Sequence, residues 1–284
     1  MNNEIQWYPG HMARAKKLIK EHLGLVDATI EIVDARIPQS SRNPDVDKIL
    51  AAKPRIIALN KSDLADKEIT RLWINFFQRE GLKAVPINGA AKQGIRELAI
   101  AVKAAAEPIM QALEAKGRRR RSVRTMIVGI PNVGKSTVIN AMGVKAQAKT
   151  GNKPGVTRGT QWVRMIEGME LLDTPGLLWP KFADPEIGFK LAVTGAISDE
   201  VYAIEDVAKK LLLLINRIDP AALSKRYKIT ETMGGVDEYL DLIGRKRGFL
   251  GPGGIVKLEQ TAFMILQEFR QGKIGRFTLE RPPN

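Results

Sequence analysis

The chain has 284 residues, 44% of them apolar, enough to fill one large core or a medium and a small one. Cysteine is absent, no apolar run approaches the roughly 20 residues of a membrane span, and the first residues lack the apolar core of a signal peptide. A soluble, cytoplasmic, monomeric protein without stable membrane association is expected.

The formal charge of +14 is unevenly spread: 29 basic against 17 acidic residues up to position 180, net +12, and 16 against 14 beyond it, net +2. The first part therefore carries the field that draws a polyanion. Arg14, Lys16, Lys17 and Lys20 fall on a predicted basic helix, whose Leu18, Ile19 and Leu23 are few enough to be core contacts rather than a membrane face. β-rich runs then alternate with helical patterns. Strands are expected at Thr29–Asp34, Arg55–Asn60, Lys83–Ile87, Thr125–Gly129, Gln161–Ile166 and Met169–Asp173. Helices are expected at Ile69–Glu80, where Leu72, Phe76 and Phe77 mark a core face, at Gly94–Ala115 and at Thr137–Met142. This alternation is how a mainly parallel sheet covered by helices reads.

Gly117–Arg121 is too charged to be buried and reads as an exposed connector. With Lys116 and Arg124 it forms the densest basic cluster, which serves either polyanion contact or plain solubility. From Pro180 the pattern changes to helices at Glu186–Thr194, Glu205–Arg217, Val236–Leu242 and Ile255–Gln271, the last stopped by Gly272. The expected organisation is an α/β domain over residues 1–180 and a smaller, mainly helical domain over residues 181–284.

Three motifs carry the chemistry. Asn60-Lys61-Ser62-Asp63 ends a buried strand, where open α/β sheets bind ligands. The Asp63 carboxylate matches the N1–H and N2 donors of guanine, which adenine lacks; Asn60 suits the base edge and the local backbone, and the Lys61 stem a base face. Gly129 to Ser136 fits GxxxxGK[ST] between a strand and a helix. Backbone N–H groups through Asn132, Val133, Gly134 and Thr137 can curl around phosphates, Lys135 offsets their charge, and the Ser136 hydroxyl can ligate Mg²⁺. Asp173-Thr174-Pro175-Gly176 fits DxxG: Asp173 suits the Mg²⁺ shell and the Gly176 N–H a γ-phosphate, while Thr157, between these two motifs, is placed to reach both from a loop.

NKxD, GxxxxGKS and DTPG resemble the motifs of translation-factor-type GTPases, in which NKxD normally comes last. Here it comes first, so the chain resembles a circularly permuted P-loop GTPase closed through the basic 116–121 segment. Asn88-Gly89 stands where that superfamily sets a short loop against the base. From Trp7-Tyr8-Pro9-Gly10-His11-Met12 through Val33-Asp34-Ala35-Arg36-Ile37-Pro38 to the C-terminal helices, the whole chain is similar to the ribosome biogenesis GTPase A family. That resemblance implies GTP/GDP and Mg²⁺ as cofactors. It also implies binding to the precursor of the large ribosomal subunit late in assembly, with its ribosomal RNA and ribosomal proteins as partners, and release after hydrolysis. Residues 181–284 would then be the ribosome- or RNA-binding domain.

Leu177 occupies the position after DxxG where Ras-like proteins orient the attacking water with Gln. Hydrolysis by the chain alone should therefore be slow. The resemblance implies His11 as the catalytic group that positions water, and Asn132 as a companion of K⁺ near the phosphates. An alternative of a different class is a nucleotide-stabilised RNA-binding scaffold with little turnover.

Overall fold

The structure, a computed structural model, describes residues 10–50, 53–143, 161–173, 184–229 and 235–283. In chain order the first part contains α1 (Gly10–Leu23), β1 (Ala28–Asp34), α2 (Pro44–Leu50), β2 (Arg55–Asn60), α3 (Lys67–Arg79), β3 (Lys83–Pro86), α4 (Ile95–Ala115), β4 (Val123–Val128), α5 (Lys135–Met142), β5 (Gln161–Arg164) and β6 (Met169–Asp173). The six strands stand in the order β3-β2-β1-β4-β6-β5, all parallel except β5, which runs against β6. The expected mainly parallel α/β sheet is present.

β1, near the start of the chain, lies directly beside β4, the strand that feeds the phosphate-loop motif. Strands from both sides of the connector thus build one sheet. β1 is buried at all seven positions, as a central parallel strand covered on both faces must be. One face packs Met126, Val128 and Leu172 against Ile19 of α1 and Val46 and Leu50 of α2. Ile19 is thereby placed in the core, with Leu23 packed against the same cluster. α4 packs on β1, β2, β3 and β4. Elsewhere Val33, Ile57 and Leu59 pack with Trp73 and Phe77 of α3.

Two local expectations need correction. Leu72 is 45% exposed, and Trp73 takes the core position beside Phe77. The helix also starts at Lys67, where the Asp66 carboxylate accepts the Ile69 N–H at 2.8 Å as an N-cap.

The second part contains α6 (Pro185–Thr194), α7 (Ile204–Ile218), α8 (Pro220–Tyr227), α9 (Val236–Lys246) and α10 (Leu258–Arg270). Its core gathers Leu191, Leu211, Leu212, Ile215, Leu240, Ile243, Ile265 and Leu266. α10 is tied to its neighbours by charge. Glu268 pairs with Arg226 and Arg247, and Arg270 donates to Asp199, Tyr202 and the Ala192 carbonyl. α10 begins at Leu258, not Ile255, because Ile255 follows the Pro252–Gly254 turn and is 71% exposed. Helices α2 and α8 were not expected at all.

The helical unit ends at Phe277, and the chain from Thr278 onward belongs to the α/β unit. The Leu279 N–H donates to the Arg36 carbonyl at 2.8 Å, and the Trp73 indole N–H to the Glu280 carbonyl at 3.2 Å. The Glu280 carboxylate accepts from the backbone N–H of Gln39 and Ser40 and from the Ser40 hydroxyl. The boundary expected at 180/181 therefore leaves this tail with the helical part, whereas it adds to the sheet domain through backbone groups and the Glu280 carboxylate, which no helical pattern announces.

Candidate functional site at the carboxyl edge of the sheet

In a parallel sheet every strand delivers its last residue to the same edge. β1 ends in Asp34, β2 in Asn60 and β6 in Asp173, while β4 runs into the glycine-rich loop. Register sets Asp34 opposite Asn60. Residues remote in sequence thus meet there.

Asn60 joins three segments. Its side-chain amide donates to the Val133 carbonyl at 2.7 Å, and its side-chain oxygen accepts the Gly89 N–H at 3.0 Å. Only one orientation of the amide satisfies both partners. The side chain, 3% exposed, serves the backbone side of the expectation rather than a base edge. Close packing explains the glycines around it. A Cβ on Gly134 would come within 2.4 Å of the Asn60 Nδ2, and Gly134 has φ +95°.

Lys61 bridges two elements: its ammonium donates to the Asn132 carbonyl at 2.9 Å and lies 3.0 Å from the Asp34 carboxylate. Asp34 also receives both Nε and Nη2 of Arg36, at 2.9 and 2.7 Å, and the Arg36 N–H. Burial alone would raise the Asp34 carboxyl, but the Arg36 and Lys61 charges and the Arg36 hydrogen bonds outweigh it and hold the group well below the usual carboxylate range. Asp34 and Arg36 were read only as marks of family likeness. Their place as the anchor of Lys61 depends on strand register.

Asp63 is half-buried beside them on the same turn. Ser62 is fixed by its hydroxyl to the Ile87 carbonyl at 2.9 Å. Asn88 spends its side-chain oxygen on the Ala91 N–H at 3.0 Å, so what this loop turns inward is backbone, held through Gly89. The loop before α5 carries Asn132 at φ +60° and Gly134 as N-cap, without a side-chain cap, which leaves the first N–H groups of α5 to an anion. Lys135 folds back over the loop onto the Gly129 and Ile130 carbonyls at 3.3 and 3.0 Å.

For a metal, the Ser136 hydroxyl at the start of α5 is a hard oxygen donor of the kind Mg²⁺ takes alongside phosphate oxygens, while Asp173 closes β6 by its backbone and its side chain is not among those described. Asn132 likewise brings oxygen donors of the kind K⁺ accepts. Thr157, Gly176 and Leu177 lie outside the described residues. His11 falls in α1 by its backbone, and its side chain is not among those described.

The basic connector is exposed, as expected, yet half of its cluster is engaged. Arg121 grips the buried Asp27 at 2.7 and 2.9 Å, Arg120 pairs with Glu107 and Glu114, and Arg124 with Glu170. These pairs pin the segment that closes the permuted sheet.

A family model described as "50S ribosome-binding GTPase" matches residues 124–244. The chain is 47% identical over 278 residues to a protein named ribosome biogenesis GTPase A from Bacillus cereus, covering 98% of this chain and 94% of the relative. It is similar to the crystal structure of GNP-bound YlqF from T. maritima, with TM-score 0.68 and 29% identity over 95% of this chain and 99% of the other. A GDP-bound YlqF structure matches with TM-score 0.65 and 28% identity over 94% and 100%.

Proposed function

The chain belongs to the ribosome biogenesis GTPase A family of circularly permuted P-loop GTPases, and from that premise we propose that it is a GTP-driven switch on the precursor of the large ribosomal subunit. It contacts ribosomal RNA and ribosomal proteins as a cytoplasmic monomer and leaves after GTP hydrolysis. The observation that carries this reading is the Asn60 junction, which makes the guanine-reading turn and the phosphate loop one hydrogen-bonded unit.

In this reading the Asp63 carboxylate accepts from guanine N1–H and N2. The Lys61 stem, steadied by Asp34, lies along a base face, while Ser62, Asn88 and Gly89 shape the base pocket. The N–H groups from Asn132 to Thr137 take the phosphates, and Lys135 moves from its loop carbonyls to the outer ones. Ser136, Thr157 and Asp173 hold Mg²⁺, which supplies charge neutralisation at the phosphates; Asn132 holds K⁺ to the same end. Gly176 and Thr157 report the γ-phosphate to the helical domain that follows, which serves as the ribosome- and RNA-binding part. His11 positions the attacking water in the role Leu177 cannot fill.

Single-turnover GTP hydrolysis, with and without large ribosomal particles, tests the switch, together with cosedimentation in GDP or a nonhydrolysable GTP analogue. Stimulation by particles, retention with the analogue and release with GDP are expected. Unstimulated turnover with nucleotide-independent binding would overturn the proposal in favour of a scaffold. His11→Ala should slow hydrolysis with GTP affinity nearly intact, and an unchanged rate removes His11 from the mechanism.

A further inference from the structure

Among the described residues of the α/β unit, the one aromatic left exposed is Trp162, at 40%. It lies on β5, the edge strand. Along β5 the side chains alternate: Val163 is buried, while Trp162 and Arg164 are exposed and share the opposite face. Register sets Trp162 opposite Leu172, Arg164 opposite Glu170, and Glu170 opposite Arg124 on β4.

The Arg124 guanidinium lies 5.4 Å from the centre of the Trp162 ring and is held there by Glu170 at 3.2 Å. The cation therefore braces the indole from within the sheet and leaves the residue 40% exposed. Upstream of Arg124, the exposed Lys116, Arg118 and Arg119 belong to the connector that runs into β4. The nearby acids are largely committed: Asp27 to Arg121, Glu107 and Glu114 to Arg120, Glu170 to Arg124.

We propose that Trp162, braced by Arg124, is a stacking platform for an unpaired base of single-stranded RNA, with Arg164 and the connector cations taking the flanking phosphates. The inference rests on the ribosomal RNA reading above and names the form of RNA this face takes. Positive charge alone fits any polyanion. A fixed, half-open indole set among cations fits a strand whose base faces are free, because in a duplex those faces are stacked away.

The test uses the full-length protein with a labelled unstructured RNA of about 12 nucleotides and a duplex of the same length, read by anisotropy and by tryptophan quenching at several salt concentrations. Trp162→Ala should weaken single-strand binding about tenfold, keep duplex binding and GTP turnover unchanged, and leave the salt slope as it was, since no phosphate contact is lost. Trp162→Phe should restore most of the affinity. Arg164→Ala should instead lower the salt slope by about one contact.

Wild-type single-strand affinity in Trp162→Ala, or equal loss for single strand and duplex, overturns the platform. If large-particle cosedimentation survives in that variant, only the platform falls. If the wild-type protein binds neither RNA nor large particles, the ribosomal RNA reading falls with it.

Discussion

Asn60 and Val133, 73 positions apart in the chain, are joined by a buried 2.7 Å hydrogen bond from the Asn60 side-chain amide to the Val133 carbonyl. The same side chain accepts the Gly89 N–H. Asn60→Ala would leave a carbonyl and an N–H without their partner, at about 1–3 kcal/mol for each group. Affinity for a fluorescent GDP should fall at least tenfold, more than melting temperature alone would suggest, because base turn and phosphate loop would separate. Equal GDP affinity in a folded variant would show that the junction is dispensable.

Gly134 is where this packing is tightest. A methyl group there would meet Asn60 Nδ2 at 2.4 Å on a backbone with φ +95°. Gly134→Ala should abolish measurable GDP binding, whereas Gly24→Ala, with nothing within 4 Å of its Cβ, should stay within about 0.5 kcal/mol of the parent in urea denaturation. Similar behaviour of the two variants would refute the steric argument.

Asp63 stands half-buried on the turn that Ser62 pins to the end of β3. Asp63→Asn replaces an acceptor pair with one acceptor and one donor, which suits the carbonyl that xanthine carries in place of the guanine amine. Competition between GTP and xanthosine triphosphate should invert in favour of the latter. Retained preference for GTP would move the base site elsewhere.

The motifs could be read because their chemistry is local: Asn60 to Asp63 carries turn and charge, and Gly129 to Ser136 turn, charge and glycine, within a few residues. What joins them is not local. That Lys61 leans on Asp34 follows from the register of β1 against β2, which no window of sequence contains. Core faces failed for a similar reason. The spacing Leu72, Phe76, Phe77 and the spacing Trp73, Phe77 are both helical, and the sheet beneath α3 chose the second. The overlooked α8 did have a local signal, since Asp219 accepts the Ala221 N–H as N-cap and Pro220 follows at the first helical position.

The Asp34 pair makes a prediction about pH. Its carboxyl is held well below the usual range in the folded state, so its contribution is complete above the ordinary carboxylate value and is lost only as pH falls through the lowered one. Asp34→Asn leaves the nearly inaccessible Arg36 facing a neutral amide, at a cost of about 3 kcal/mol. The difference between parent and variant in urea denaturation should be flat from about pH 5 to 8 and shrink only in acid. A difference that grows or vanishes between pH 5 and 8 would contradict the pairing.

The C-terminal tail reaches this same anchor from behind. Leu279 bonds the carbonyl of Arg36, Thr278 Oγ1 accepts the Asp66 N–H at 3.1 Å, and Glu280 collects the N–H groups of Gln39 and Ser40. Glu280→Ala removes a charged acceptor shared by three donors, each such bond being worth about 1.5–3 kcal/mol at most, less where water replaces it. The variant should melt several degrees lower, and Trp73 emission should change because its indole N–H bonds the Glu280 carbonyl. Since the loosened loop holds Arg36, GDP affinity should fall modestly as well, and Glu280→Gln should recover part of both losses. A lowered melting temperature with wild-type GDP affinity would confine the tail to stability; unchanged melting and emission would mean that it does not dock on the 35–41 loop in solution.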